Sequence, residues 1–322
     1  MNSQVLFDNT VFITLFSDTL LLVLTLVASI GSIQILRTWD FTATTPAQYA
    51  LEKKSYLITL IITITLIFNI LLLPYFAYTL ESLSAIVPGA MCAAGVIDAN
   101  PYGNPLLLLR IFTLFLVGIW LIINREDLQE TTYPYTKKKF GLFIAIALMI
   151  VLSYTLEIAY FSHISLEKPV ACCSVIFGFS GTNTLPFGLS TPLILGIFYL
   201  LFLLNVLFIW QRQAYALALS SVAFLYVGYL ALIHFFGTYI YQLPTHICPF
   251  CMLQGDYYYV GYLLWGLLFV GVFFGISNAI LKPLIGKTFK RFFRLALYAQ
   301  LLFIMITASY VIVYLLKNKV WL

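Results

Sequence analysis

Charge is what this sequence has least of. Of its 322 residues, 9% are Asp, Glu, Lys or Arg, against roughly 25% in a soluble domain. It has no Gly-x-Gly-x-x-Gly, no P-loop, no Gly-x-Ser-x-Gly elbow and no His-Glu-x-x-His. Nucleotide-driven, serine-hydrolase and zinc-peptidase readings therefore have no motif to stand on. Histidine occurs three times, as His163, His234 and His246, which leaves thin support for a haem held by two facing imidazoles. The longest connection on the basic side, residues 37–54, has about 18 residues and is too short for a separate domain.

What is abundant is apolar: 62% of the chain. Eight apolar runs fall near residues 11–36, 55–80, 105–123, 140–162, 190–210, 214–236, 257–281 and 294–316. All eight exceed the 18 or so residues read as a membrane span. In lipid every backbone polar group must be satisfied within the segment, so runs of this length are helices and not barrel strands. The expected fold class is all-α: a polytopic integral membrane protein, one bundle of about eight transmembrane helices over residues 1–322. The first run is not expected to be a cleaved signal peptide, because residues 1–10 carry no Lys or Arg and the run exceeds an h-region.

Orientation is set by the basic residues. Arg37, Lys53, Lys54, Arg125, Lys137, Lys138, Lys139, Arg212, Lys282, Lys287, Lys290, Arg291 and Arg294 fall on one side, which is 13 of 17. Arg110, Lys168, Lys317 and Lys319 fall on or near the other. The basic side is expected to be cytoplasmic, with both termini outside and the plasma (inner) membrane of a bacterium as the location. The net charge of +5 then needs no nucleic-acid partner, since anionic lipid headgroups answer it.

On this map all five cysteines fall in outer loops: Cys92 between the second and third runs, Cys172 and Cys173 between the fourth and fifth, Cys248 and Cys251 between the sixth and seventh. The loops echo one another. Each begins at cysteine and reaches a glycine (Gly103, Gly188, Gly261) before the next run, which suggests three hairpins over 55–123, 140–210 and 214–281.

Cys248-Pro-Phe-Cys251 is the most specific local signal. Two thiols at this spacing close a small ring or clasp a metal, and a helix beginning near Met252 would acidify the first of them. As a staple the ring would remove little chain entropy. The adjacent Cys172 and Cys173 can serve two partners or present two thiolates to a soft ion. Met91 and Met252 put thioethers beside thiols and His246 adds an imidazole, a set that favours Cu(I) or another soft ion. Within the membrane runs, Asp18, Arg110 and Glu157 are functional candidates by default, with Glu157 expected to pair with Arg110. Tyr257, Tyr258, Tyr259 and Tyr262 read as an interfacial aromatic belt.

The residues support three readings. In the first, the CPFC pair exchanges disulfides with a partner pair drawn from Cys92, Cys172 and Cys173, and electrons pass to or from a membrane carrier such as a quinone. This layout is similar to that of the DsbB and vitamin K epoxide reductase families, which carry redox cysteine pairs on the outer loops of a helical bundle. The resemblance implies a thioredoxin-like protein outside the membrane as partner. In the second, Cys92, Cys172, Cys173, Cys248 and Cys251, aided by His246, Met91 or Met252, bind a soft metal and exchange it with a metal-carrying protein. Adjacent cysteines of this kind are similar to those of mercuric-ion membrane transporters. In the third, the chain is a non-catalytic membrane subunit with structural disulfides.

Overall fold

The computed structural model describes residues 3–170, 188–244 and 246–322. Cys172 and Cys173 lie outside the described residues. Helix is the only regular secondary structure among those described. Eight helices are long and apolar enough to cross a membrane: α1 Asn9–Thr38, α2 Pro46–Leu83, α3 Gly103–Gln129, α4 Thr136–Ser162, α5 Thr191–Gln211, α6 Ala214–Ala231, α7 Val260–Ile285 and α8 Lys290–Asn318. Apolar side chains such as Phe16, Ile30, Leu108, Leu203 and Leu219 point outward and exposed, as expected where the solvent is lipid.

Local chemistry sets the helix ends. Asp8 caps α1, its carboxylate accepting from the backbone N–H of Thr10 at 2.9 Å. Thr45 caps α2, its hydroxyl accepting from Gln48 N–H at 3.3 Å, and Pro46 occupies the first helical position. α2 therefore starts nine residues before its apolar run and carries Glu52, Lys53 and Lys54 as helix, a stretch that hydropathy alone reads as loop. Along α1 the hydroxyls of Thr14, Thr19, Thr25, Ser29 and Ser32 each donate to the carbonyl four residues back. That is how a span rich in Thr and Ser keeps its polar groups satisfied without water.

The chain divides into two compact units, residues 1–88 with 96–170 and residues 89–95 with 171–322. The segment 140–210, read from sequence as one hairpin, contributes α4 to the first unit and α5 to the second. In the first unit α1 packs on α2 and α4, and α3 on α2 and α4, which closes a ring of four. Its core is Ile35, Ile62, Leu66, Val117, Trp120, Phe140 and Phe143. The α3–α4 turn is fixed by ionic contacts. Buried Lys139 lies 2.7 Å from buried Asp127, whose carboxylate also accepts from Tyr135 N–H at 2.7 Å.

In the second unit the packed pairs are α5–α6, α6–α7, α7–α8 and α5–α8. Phe198, Phe224 and Phe303 stack at its centre. Asn205 on α5 joins Gln300 on α8 at 3.1 Å and accepts from Ser220 on α6. α6 does not stop at Ala231. It widens into a π-turn at Leu232–Phe236 and resumes as Gly237–Tyr241. An inserted residue of this kind shifts the register of the next helical turn, and so sets the direction in which Tyr241 points.

Candidate thiol centre

The site is built on the second unit. Cys248-Pro-Phe-Cys251 leads into a single 3-10 turn, Cys251–Leu253. Tyr241, at the end of the α6 extension, fixes this loop from both sides. Its hydroxyl donates to the carbonyl of Cys248 at 2.5 Å and accepts from the backbone N–H of Met252 at 3.1 Å. From α7 the indole N–H of Trp265 donates to the carbonyl of Pro249 at 3.1 Å. Gly261, in the first turn of α7, lets the loop lie against the helix. A Cβ there would come within 2.5 Å of Met252 Cγ and 2.9 Å of the Met252 backbone.

Residues 89–95 bring the third sulfur. Cys92 Sγ lies 3.4 Å from Cys248 Sγ. The sulfurs of Cys92, Cys248 and Cys251 all fall within 4.8 Å of one another. Their exposures are 0%, 1% and 7%, so Cys251 is the one nearest to solvent. The side-chain amide of Gln254 reaches the carbonyl of Met91 at 3.5 Å, tying the Cys92 segment to the CPFC loop.

The sequence-derived candidates sort cleanly. Cys92, Cys248 and Cys251 meet. His246 stands beside them, its ring edge-on to Tyr241 at 4.3 Å. Burial pushes the His246 imidazole below its ordinary value, and the nearby Cys92 opposes that shift. Met252 is buried against Gly261, whereas the side chain of Met91 is largely exposed. His163 caps α4 in the first unit, with Nδ1 2.8 Å from the carbonyl of Ala159, and His234 sits in the π-turn.

One condition is not met, and one residue gains a role. α7 begins at Val260, not near Met252, because Tyr258 and Tyr259 take left-handed backbone angles that interrupt the chain before the helix. The α7 dipole therefore has no first turn at Cys248. Tyr257 is not only a belt residue. Its ring packs edge-on to Tyr241 at 4.9 Å, and burial raises its phenol, with Cys251 and Asp256 adding to the effect. Tyr241 and Trp265 are site residues that sequence reading passes over, since a tyrosine or tryptophan at a helix end looks like any interfacial aromatic.

Three buried thiols in mutual reach support two kinds of chemistry: exchange of a disulfide among them, or ligation of a thiophilic ion. Comparison with family models, with curated proteins and with solved structures finds no match. The function therefore rests on the geometry.

Proposed function

We propose that the chain is a membrane thiol–disulfide oxidoreductase centred on Cys248. The observation that carries this is the 3.4 Å contact between Cys92 and Cys248, one member of a Cys-x-x-Cys pair and a cysteine 156 residues away. Cys248 can bond to either neighbour. A Cys251 thiolate attacking a Cys92–Cys248 disulfide gives a Cys248–Cys251 disulfide and a Cys92 thiolate, with no net change in electrons. Net oxidation happens at the two ends. A partner dithiol attacks the Cys248–Cys251 disulfide at Cys251, the residue with the greater exposure, and leaves as a disulfide, and its two electrons stay on the centre as two thiols. A quinone-class carrier in the membrane then takes those two electrons with two protons and restores the centre's disulfide. In this reading the loops and both termini face outward from a bacterial plasma membrane, the partner is thioredoxin-like, and Cys172 and Cys173 serve as a further exchange pair.

A second reading is favoured by the convergence itself. Three buried sulfurs within 4.8 Å, with His246 alongside, suit a soft ion at about 2.3 Å from each sulfur.

One experiment separates the readings. Protein purified anaerobically without reductant is labelled for thiols before and after reduction and analysed for metal. Oxidised cysteines without metal in the wild type, and a mixed disulfide trapped on Cys251 in Cys248→Ser, support exchange. Fully reduced cysteines with a stoichiometric ion that is lost in Cys248→Ser sink exchange in favour of the metal site. Disulfides that resist reduction, without metal, leave a structural role.

A further inference from the structure

The first unit holds a second buried cluster, unrelated to sulfur. Arg110 on α3 lies 2.6 Å from Asp18 on α1 and 2.8 Å from Glu157 on α4. The guanidinium also lies over the Phe76 ring of α2, 4.3 Å from its centroid. All three charged residues stand roughly one to three turns inside the ends of their spanning helices.

The charges do not balance. Two carboxylates share one guanidinium. The other lining groups of the adjoining cavity are Asn69 and Leu73 from α2, Thr113 and Leu114 from α3, and Ile150, Ser153 and Tyr154 from α4. None of these is a cation, and the only other titratable group among them is the Tyr154 phenol. A buried carboxylate charge in excess of its one cation is costly in a bilayer, and neutralisation by a proton is the usual relief. A second observation points the same way. Glu157 Oε2, Ser153 Oγ and Arg110 Nε are buried and lack a hydrogen-bond partner among the described residues, and they border a cavity of about 30 Å³, room for about two waters. Unsatisfied donors and an acceptor around so small a polar space suit a proton with its waters, not an organic ligand.

We infer that Asp18, Arg110 and Glu157 form an intramembrane proton-binding site that holds one proton on its carboxylate pair at neutral pH. Arg110 keeps one carboxylate ionised, the proton neutralises the other, and the cavity waters with Ser153 provide its hydrogen-bonded exit. Release leaves the triad with a net negative charge, so the site exists in two charge states.

Infrared spectroscopy of the purified protein in lipid tests this. The expected result is a protonated-carboxyl stretching band at neutral pH that shifts in deuterium oxide, is lost reversibly at alkaline pH, and is absent in both Glu157→Gln and Asp18→Asn. Either substitution leaves one carboxylate for one guanidinium, and that carboxylate ionises. A wild type without the band overturns the proposal, whether or not either variant folds. So does a band that survives both substitutions, since it then belongs to another carboxyl group.

Discussion

The phenol of Tyr241 sits between the carbonyl of Cys248 and the amide of Met252 and hydrogen-bonds to both. One side chain thereby holds the CPFC loop closed across the pair that it contains. Tyr241→Phe keeps the ring but leaves two buried backbone groups without their partner, a loss of about 1–3 kcal/mol. The expected outcome is a lower unfolding temperature in detergent together with faster labelling of Cys248 and Cys251 by a small thiol reagent. Unchanged labelling would mean that the hydroxyl does not hold the loop.

Gly261→Ala tests the same loop from its other face. The added methyl would meet Met252 Cγ and the Met252 backbone at distances that real Cβ contacts do not tolerate. Overpacking of this kind costs typically ~1–3 kcal/mol. Because backbone must move, the Cys92–Cys248 contact should loosen as well, measured as slower oxidation of that pair by a mild oxidant. Gly266→Ala, where a Cβ meets open space, serves as the control and should behave as wild type.

Lys139 and Asp127 are an ion pair with side-chain exposures of 3% and 0%. Lys139→Met should cost about 3–5 kcal/mol, since it strands a buried carboxylate. Pairing it with Asp127→Asn should recover part of that loss. Thermal unfolding of the two single variants and the double variant gives the coupling, and strict additivity would refute a direct pair.

The α1–α2 connection carries the pH prediction. Asp40 Oδ1 accepts from the Thr42 N–H at 2.9 Å and the Thr42 hydroxyl at 2.8 Å, and these bonds, the backbone one first, hold its carboxyl below 3.8. A carboxyl lowered in the folded state stabilises above its unfolded value and loses that contribution as pH falls through the folded one. Hydrogen exchange at the Thr42 amide should therefore stay protected through the range in which an ordinary carboxylate takes up its proton and open only at lower pH. Asp40→Asn should make that protection independent of pH.

Much of this was legible in the sequence. The eight spans are readable from run length, and the pairing of Arg110 with Glu157 from charge being rare in lipid, whereas the arrival of Asp18 at the same guanidinium was not anticipated. Cys92, Cys248 and Cys251 were readable as candidates because loop position and Cys-x-x-Cys spacing are linear features. Their meeting was expected from their shared loop positions and is found, whereas the 3.4 Å closeness of Cys92 to Cys248 across 156 residues has no local trace in the sequence. The start of α2 was hidden because a Thr-Pro cap outweighs the local charge that hydropathy counts against a span. The role of Tyr241 was hidden because it depends on a π-turn, which shifts register without a residue signature. The late start of α7 depends on two tyrosines in left-handed backbone, a conformation that sequence does not assign to tyrosine.

The contact between Cys92 and Cys248 also has a clock built into it. During synthesis Cys92 leaves the ribosome 156 residues ahead of its partner, an interval of about 8–30 s at ~5–20 residues per second. The earlier sulfur is therefore exposed to whatever oxidant or chaperone waits at the membrane before the centre it belongs to exists.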